Sequence, residues 1–467
     1  METTEAKAWA QEEFGDAQLG DARRTARLVA IGSGVAARPG GRVTSVFGTG
    51  AERTATFRLV ENEGVGAVAI ASATHRASAR RAAEYPFVFV PTDGSSLTLT
   101  DREKAKGLGV VGARSIGARG LQVMTAIAVA PDGTPLGIVA QEWWARKGRA
   151  RRKKKGRDRR ELRSKETQYW LDTMLNTRAV FAGEAPKTVP WFQLDRGGDA
   201  WAVMLDGLEP GQLFTVRAAH DRRLWGKGDE PRRHLWEKVE SEPLLGSYDL
   251  EVTGRPGRKA RTATMDVRAC EVTLDFRNER TGKHEPATLW AVLTRETSAV
   301  SDDEEPIEWL LLTTNPVRTL KDATLVLRGY AARWRVEEFH KAWKTGACNV
   351  EDTQLRDRES IVKWATILAA VAIRILRLTY LARHQPDLPA TVELEPFEVQ
   401  AIVAVKTKRP PRPGTKVSIG QAVLWLAQIG GYTGKSSGGP PGAIVIRRGL
   451  ERIQMLADFF ANLAKKM

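Results

Sequence analysis

Short runs of apolar residues alternate with turn-forming residues through the middle of the chain. They predict strands at 86–91, 121–130, 136–141, 188–194 and 213–216. Between the second and third runs, Pro131-Asp132-Gly133-Thr134 predicts a tight hairpin turn. Residues 166–180 have helical periodicity, so the predicted order is β-β-β-α-β. This order is compatible with a ribonuclease-H-like α/β fold.

The regions around these strands have other patterns. Residues 1–66 have a helical pattern in which Asp21 is a candidate N-cap of a basic helix. Residues 220–308 alternate between apolar and polar positions, which predicts an inserted antiparallel β subdomain. After a further strand and helix, a buried helix is expected around 364–376. We therefore predict three domains, which are an N-terminal helical domain at 1–66, a catalytic α/β domain at 67–383 and a C-terminal helical domain at 384–467.

The helix predicted at 320–345 carries an unusual set of polar side chains. Tyr330, Arg333, Glu337 and Lys344 are spaced by 3, 4 and 7 residues, which places them within about 60° of one another on one side of the helix, and Lys341 shares that side. A carboxylate beside a phenol, a guanidinium and ammonium groups suits a metal site next to a phosphate. The alternative is a solvated face with ion pairs four residues apart.

Two aspartates follow predicted strands. Asp93 comes after the first strand and Asp195 after the fourth, with Asp199 as a nearby competitor. Either aspartate alone is more typical of a turn. Together with Glu337, however, they supply the three carboxylates that two Mg²⁺ ions would need for phosphodiester chemistry. Glu338 lies about 100° around the helix from Glu337, so we assign it to an outward ion pair.

The pattern Y-x2-R-x3-E-x6-K within YAARWRVEEFHKAWK resembles the signature of the IS-four family of bacterial cut-and-paste transposases, of the Tn-five type. Similar segments occur from one end of the chain to the other, at 9–10, 19–29, 141–144, 309–317 and 430–432. The resemblance implies a ribonuclease-H-like fold in which Asp93, Asp195 and Glu337 form a catalytic triad. It also implies two bound Mg²⁺ ions, for which Mn²⁺ can substitute, and double-stranded DNA as the substrate.

The resemblance further implies which residues contact DNA. Tyr330, Arg333 and Lys344 would hold phosphates, and Trp309 would stack on a base flipped out of the duplex. Arg217 is a weaker candidate, and Lys341 is added because it shares the helix side. The resemblance also implies a homodimer that pairs through the C-terminal helices, with cleavage by nicking, hairpin formation, hairpin opening and strand transfer.

Basic residues exceed acidic ones by a wide margin. The chain has 72 Lys and Arg against 56 Asp and Glu, a net charge of +16, which favours a polyanionic partner, although membrane-surface and ribosome-associated proteins have a similar charge. Arg23, Arg24 and Arg27 start the helix capped by Asp21, where they oppose the helix dipole, so they either bind DNA phosphates or form a solvated face. The run at 146–165 holds thirteen basic residues and predicts a loop that follows a DNA backbone or is a solvated tether.

The cysteines, the histidines and the lengths of the apolar runs indicate the cellular compartment. Two cysteines and six scattered histidines argue against a disulfide framework or a zinc site and fit a reducing cytoplasm. The sequence contains neither a leader-like segment nor an uncharged apolar run of about 18 residues, so we expect a nucleoid-associated bacterial protein without a membrane span. The alternatives are a catalytically silent DNA-binding protein derived from a transposase, and a nuclease such as a junction resolvase.

Overall fold

The computed structural model describes residues 8–102, 104, 106–112, 117–146, 166–226, 233–252, 260–277, 282–298, 300, 304–412, 414–434 and 439–464. The basic run at 146–165 therefore lies outside the described residues except for Arg146, which forms an ion pair with Glu166. The chain has a mixed α/β architecture, with helices on both faces of one large, mostly antiparallel sheet.

Ten strands form this sheet. They are β1 Phe87–Thr98, β2 Gly109–Val110, β3 Arg119–Val129, β4 Pro135–Trp144, β5 Val189–Leu194, β6 Leu213–Arg217, β7 Gly246–Val252, β8 Arg261–Arg277, β9 His284–Glu296 and β10 Glu308–Thr313. Their order is β2-β3-β1-β5-β6-β10-β9-β8-β7, and β4 also pairs with β3. Only the β1–β5 and β5–β6 pairings are parallel among these strands. The predicted hairpin between β3 and β4 is confirmed.

The first strand is longer than its apolar run predicts. Residues Phe87 to Thr92 pair in parallel with β5, but β1 continues from Asp93 to Thr98 by antiparallel pairing with β3. The prediction that the strand ends at Asp93 is therefore wrong. The physical reason is that β3 extends past the end of β5, and its backbone supplies partners for residues that are too polar to predict a strand.

The region at 220–308 contains the predicted antiparallel strands, but they do not form a sheet of their own. The long hairpin of β8 and β9 pairs from Met265↔Glu296 to Arg277↔His284. Strand β9 then pairs with β10, so the hairpin extends the central sheet. The inserted strands therefore lengthen the surface that carries Trp309.

Fourteen α-helices are present in the described ranges. They are α1 Ala8–Phe14, α2 Ala22–Ala37, α3 Val43–Val46, α4 Gly50–Val60, α5 Ala67–Ala82, α6 Thr167–Glu184, α7 Trp201–Gly207, α8 Leu235–Glu240, α9 Leu320–Ala332, α10 Trp334–Lys344, α11 Arg358–His384, α12 Pro396–Thr407, α13 Ile419–Ile429 and α14 Ala443–Ala464. Asp21 caps α2 as predicted, because its Oδ1 accepts from the backbone N–H of Arg23 at 2.8 Å.

The apolar residues of β1 show how the core is divided. Successive side chains of a strand point to opposite faces, so Val88 and Val90 join the cluster under α6 while Phe89 joins the larger cluster on the other face. That larger cluster includes residues of the N-terminal helices and of α9 to α14. The predicted buried helix is confirmed as α11, whose Arg374 is neutralised by Glu398 at 2.8 Å. None of the helices described is long and apolar enough to cross a membrane.

Candidate active site

Parallel pairing of β1 with β5 places two aspartates side by side. Thr92 is opposite Leu194 in the last pair of the parallel ladder, so Asp93 and Asp195 are the next residue of each strand. Beyond this point β5 ends in a short 3₁₀ turn, and Asp195 caps that turn by accepting from the N–H of Gly197 at 2.7 Å. The Asp195 carboxylate lies close enough to Asp93 for the two negative charges to interact.

The helical motif does not form one continuous helix, contrary to the prediction. It divides at Arg333 into α9 and α10. The N–H of Arg333 donates to the carbonyl of Tyr330 at 3.1 Å, and the N–H of Val336 donates to the carbonyl of Arg333 at 3.2 Å. Both bonds span three residues, so a tight 3₁₀ turn replaces an α-helical turn here. Residues 330–344 contain neither Gly nor Pro, so the local sequence does not predict the break.

Arg333 connects the carboxylates on β1 and α10. Its Nη1 lies 3.4 Å from Asp93 Oδ2, and its Nη2 lies 2.7 Å from Glu337 Oε1. The Arg333 side chain is only 13% exposed. Arg333 and Glu337 therefore form the ion pair four residues apart that the solvated-face alternative requires. This pair is not solvated, however, and Arg333 also reaches Asp93, which lies 240 residues away in the sequence. Asp93, Asp195 and Glu337 thus belong to one electrostatic site.

The pKa of Asp93 reflects this environment. Burial, reinforced by the negative charge of Asp195 and to a smaller extent by that of Glu337, raises the pKa of Asp93 from 3.8 to about 7. The charge of Arg333 and the N–H of Gly94 act in the opposite direction. Burial and the neighbouring carboxylates together therefore outweigh the effect of the Arg333 guanidinium on the Asp93 carboxyl.

The three carboxylates have the chemistry of a divalent-cation site. All their donor atoms are oxygens, which Mg²⁺ and Mn²⁺ prefer. As the side chains stand, however, no three acidic, His or Cys side chains in the described ranges converge closely enough to hold an ion. Arg333 lies between Asp93 and Glu337. The donor set fits, and a cation between these two carboxylates would require the guanidinium to withdraw.

The other motif residues surround this site. Trp309 on β10 contacts the Tyr330 ring edge to face, with 5.2 Å between centroids, and Tyr330 is 5% exposed. Arg217, at the end of β6, lies beside the Tyr330 hydroxyl and donates to the carbonyl of Glu308 at 2.9 Å. Trp309, Tyr330 and Arg217 therefore form one contiguous group next to Arg333.

The remaining residues of α10 point in two directions. Lys344 Nζ lies 3.4 Å from Ser95 Oγ on β1, so Lys344 faces the strand that carries Asp93. Lys341 is exposed. Glu338 forms an ion pair with Arg335 and not with the site, which confirms its prediction as an outward ion-pair partner. Glu337 is therefore the carboxylate of α10 that faces Asp93.

Asp199 is excluded as a competitor of Asp195. Its buried carboxylate accepts from the N–H groups of Ala219 at 2.6 Å and His220 at 3.2 Å. It also pairs with Arg222, whose Nε lies 3.1 Å away. These bonds use the acceptor capacity of the carboxylate, so Asp199 is a structural residue that holds the chain after β6.

The three arginines of α2 differ in their roles. Arg23 is 92% exposed and pairs with its neighbour Asp21 at 3.1 Å. Arg24 donates to the carbonyls of Leu19 at 3.1 Å and Gly64 at 3.2 Å, so it stabilises the fold. Arg27 is exposed and lines a surface depression together with Arg58 of α4. Arg27 is thus the arginine of the three whose guanidinium is available to a ligand in that depression.

The site also contains an exposed aromatic residue that the sequence pattern does not predict. Trp334 follows the break and is 54% exposed, and the guanidinium carbon of Arg333 lies 5.9 Å from its ring centroid. A tryptophan within a helix is by default a core residue, and only its position next to Arg333 in the motif could have singled it out. It adds an exposed aromatic surface beside the carboxylates.

Comparison with known families identifies both regions described above. Residues 6–65 match transposase DNA-binding domains, and residues 122–374, more than half of the chain, match transposase DDE domains. The second match contains Asp195, Glu337 and the break at Arg333, whereas Asp93 precedes it. DDE transposases bind DNA, act as polynucleotidyl transferases and generally use divalent metal ions. This chain belongs to the DDE transposase family.

Proposed function

We propose that this protein is a bacterial cut-and-paste transposase of the IS-four family and the Tn-five type, acting in the cytoplasm at the nucleoid. The observation that carries the proposal is that Arg333 joins Asp93 to Glu337, while Asp195 follows the strand that pairs in parallel beside Asp93, so that three distant parts of the chain contribute to one site. We assign end binding to 1–66, catalysis to 67–383 with its β insertion at about 220–308, and dimerisation to 384–467.

Asp93, Asp195 and Glu337 would hold two Mg²⁺ ions, with Mn²⁺ as a substitute. When bound there, these ions would supply Lewis-acid chemistry, which would lower the pKa of an attacking water and stabilise negative charge on the phosphodiester oxygens. The position of the carboxylates supports this role, because β1, β5 and α10 pack through the core and each element or its end carries one of the three donors.

DNA contacts would come from the side chains around the carboxylates. Arg333 and Lys344 would hold phosphates beside the scissile bond, and the Tyr330 hydroxyl would donate to a phosphate oxygen. Trp309, supported by Tyr330, would stack on a base that leaves the duplex. Arg217 and Lys341 would hold more distant phosphates. In the structure Arg333 pairs with the carboxylates of Asp93 and Glu337. With DNA bound, it would pair with a phosphate instead.

Four in-line attacks on phosphorus would use the same site. Water first attacks the phosphodiester at the element end, and the 3′ oxygen leaves as a free hydroxyl. This hydroxyl attacks the opposite strand, which closes a hairpin on the element and releases flanking DNA. A second water opens the hairpin, and the 3′ hydroxyl then attacks target DNA and displaces a target 3′ oxygen. No protein nucleophile is needed in any step.

An exposed apolar stripe on the C-terminal helix α14 supports the proposal of a homodimer that holds both ends of the element. Met455, Phe459 and Leu463 of α14 are exposed by 86%, 58% and 46%. They are spaced by four residues and therefore form one apolar stripe on the helix. A second copy of the chain would cover this stripe in a synaptic complex.

The test uses a plasmid that carries the gene with its flanking DNA, incubated with purified protein and Mg²⁺. We expect the wild type to release the element through a hairpin-ended species, whereas Asp93→Asn and Glu337→Gln release nothing. Glu338→Gln is the matched control and should retain activity. Binding of the ends without any cleavage in Mg²⁺ or Mn²⁺ would identify a catalytically silent DNA-binding protein. Cleavage without joining would identify a nuclease such as a junction resolvase.

A further inference from the structure

One carboxylate outside the proposed triad contacts both the strand and the helix of the candidate active site. Glu351 lies in a single 3₁₀ turn, Val350–Asp352, that follows α10. Its Oε1 accepts from the backbone N–H of Thr98 on β1 at 2.8 Å and lies 3.8 Å from Lys344 Nζ at the end of α10. We infer that Glu351 is a positioning residue, which holds Lys344 in place for the phosphate beside the carboxylates. The inference rests on the proposed transposase function, because it depends on the role of Lys344.

The turn that carries Glu351 is fixed in the fold. Cys348, just before the turn, is buried and donates its backbone N–H to the carbonyl of Ala342 at 3.0 Å, which closes the end of α10. Asn349 then adopts the left-handed conformation, with φ 48°, which asparagine tolerates better than most residues. Val350 is buried in the larger core cluster. The backbone at Glu351 is thus anchored by packing and by hydrogen bonds to α10.

A second contact holds Lys344 at the same place. Its Nζ lies 3.4 Å from Ser95 Oγ, and Ser95 is two residues after Asp93 in a regularly paired part of β1. Side chains two residues apart on a strand point to the same face, so the Lys344 amine lies on the face of Asp93, about 7 Å further along the strand. A lysine amine has three N–H donors. Ser95 and Glu351 are its partners among the residues that the structure describes, so a donor remains for a phosphate oxygen.

The hydrogen bond to Thr98 does not explain why residue 351 carries a charge. That bond requires only an acceptor oxygen, which a glutamine would supply equally. The Glu351 side chain is 19% exposed, and a charge that is largely buried is stabilised by a partner of opposite charge. Lys344 is that partner, and its flexible four-carbon stem loses rotational freedom when the amine is held. Glu351 therefore orders the lysine side chain before DNA arrives.

This role predicts that the affinity for DNA and the rate of nicking respond differently to loss of the charge. The negative charge of Glu351 repels a phosphate bound at Lys344, so its removal should leave the affinity for DNA unchanged or increase it. Without that charge, the Lys344 side chain must be ordered as the transition state forms, so nicking of the bound end should slow by about tenfold. A residue that only stabilised the fold would instead change the Tm together with the rate.

The test compares full-length Glu351→Gln, which keeps the acceptor for Thr98 and removes the charge, with the wild type. The matched control is Asp352→Asn in the same turn, because Asp352 pairs with Arg42 at 2.6 Å and not with Lys344. Without DNA, acetylation of Lys344 by N-hydroxysuccinimidyl acetate, quantified by mass spectrometry, should rise severalfold in Glu351→Gln and stay unchanged in Asp352→Asn. With Mg²⁺ and a saturating duplex from the DNA flanking the gene, single-turnover nicking by Glu351→Gln should slow by about tenfold at an unchanged Tm.

Each outcome decides the inference. If Lys344 is acetylated equally in Glu351→Gln and in the wild type, Glu351 does not hold the lysine and the inference is wrong, whether or not the protein cuts DNA. If acetylation rises but nicking does not slow while the wild type nicks the ends, the positioning role is wrong and the proposed function stands. Slower nicking together with a lower Tm would show that Glu351 acts on the fold, which also overturns the inference. If the wild type never nicks the ends, the proposed function fails, and the role of Glu351 fails with it.

Discussion

The raised pKa of Asp93 predicts that this carboxylate reduces the stability of the metal-free protein. The folded protein holds the Asp93 pKa at about 7 and the unfolded chain at 3.8. The folded state therefore binds the proton more tightly than the unfolded chain. The contribution of this proton to the free energy of unfolding is fully present below pH 3.8 and is lost as the pH rises through 7. Asparagine at this position cannot ionise, so Asp93→Asn should be more stable than the wild type at pH 8.

The size of the effect follows from the shift. At about 1.4 kcal/mol per pKa unit, a rise from 3.8 to about 7 corresponds to about 4 kcal/mol. The Asp93 side chain is 20% exposed, so solvent screening lowers the expected gain to about 2–4 kcal/mol. The Asp93→Asn variant would also lose the attraction between Asp93 and Arg333. That attraction lowers the Asp93 pKa, so the value of about 7 already takes it into account.

The assay is thermal unfolding of wild type and Asp93→Asn in EDTA between pH 4 and pH 8, with Glu338→Gln as the control. Because both proteins share all other titrating groups, the difference in Tm isolates Asp93. We expect the variant to gain several degrees at pH 8 and much less at pH 4, and Mg²⁺ to narrow the difference in Tm at pH 8 by stabilising the wild type. A gain in Tm that is equal at both pH values, or absent at pH 8, would show that the folded protein does not raise the pKa of Asp93.

Three further predictions follow from the structure. Arg333→Met should bind Mn²⁺ about tenfold more tightly than the wild type in the absence of DNA, since a competing cation is removed; electron paramagnetic resonance titration measures this, and Arg335→Met should be unchanged. Asp199→Asn should lower the free energy of unfolding by about 2–4 kcal/mol in urea titrations, because a buried ion pair and its hydrogen bonds are disrupted. Phe459→Glu should convert a dimer on end DNA to a monomer in analytical ultracentrifugation without lowering Tm, and an unchanged dimer would place the interface elsewhere.

The sequence could predict features that depend on near neighbours. The cap at Asp21, the hairpin at 131–134 and the outward direction of Glu338 each depend on residues within about four positions, and the structure confirms all three. Local steric and hydrogen-bonding preferences determine such features, and they are encoded in the adjacent residues themselves.

Contacts between distant parts of the chain decided the rest. Asp93 lies inside a strand because β3 provides partners beyond the end of β5. Asp199 is structural because Arg222 and two backbone N–H groups reach it, although in sequence it resembles Asp195. The helix divides at Arg333, whose guanidinium bridges to a strand 240 residues away. Packing and charge across such separations depend on the whole fold, and no local pattern contains them.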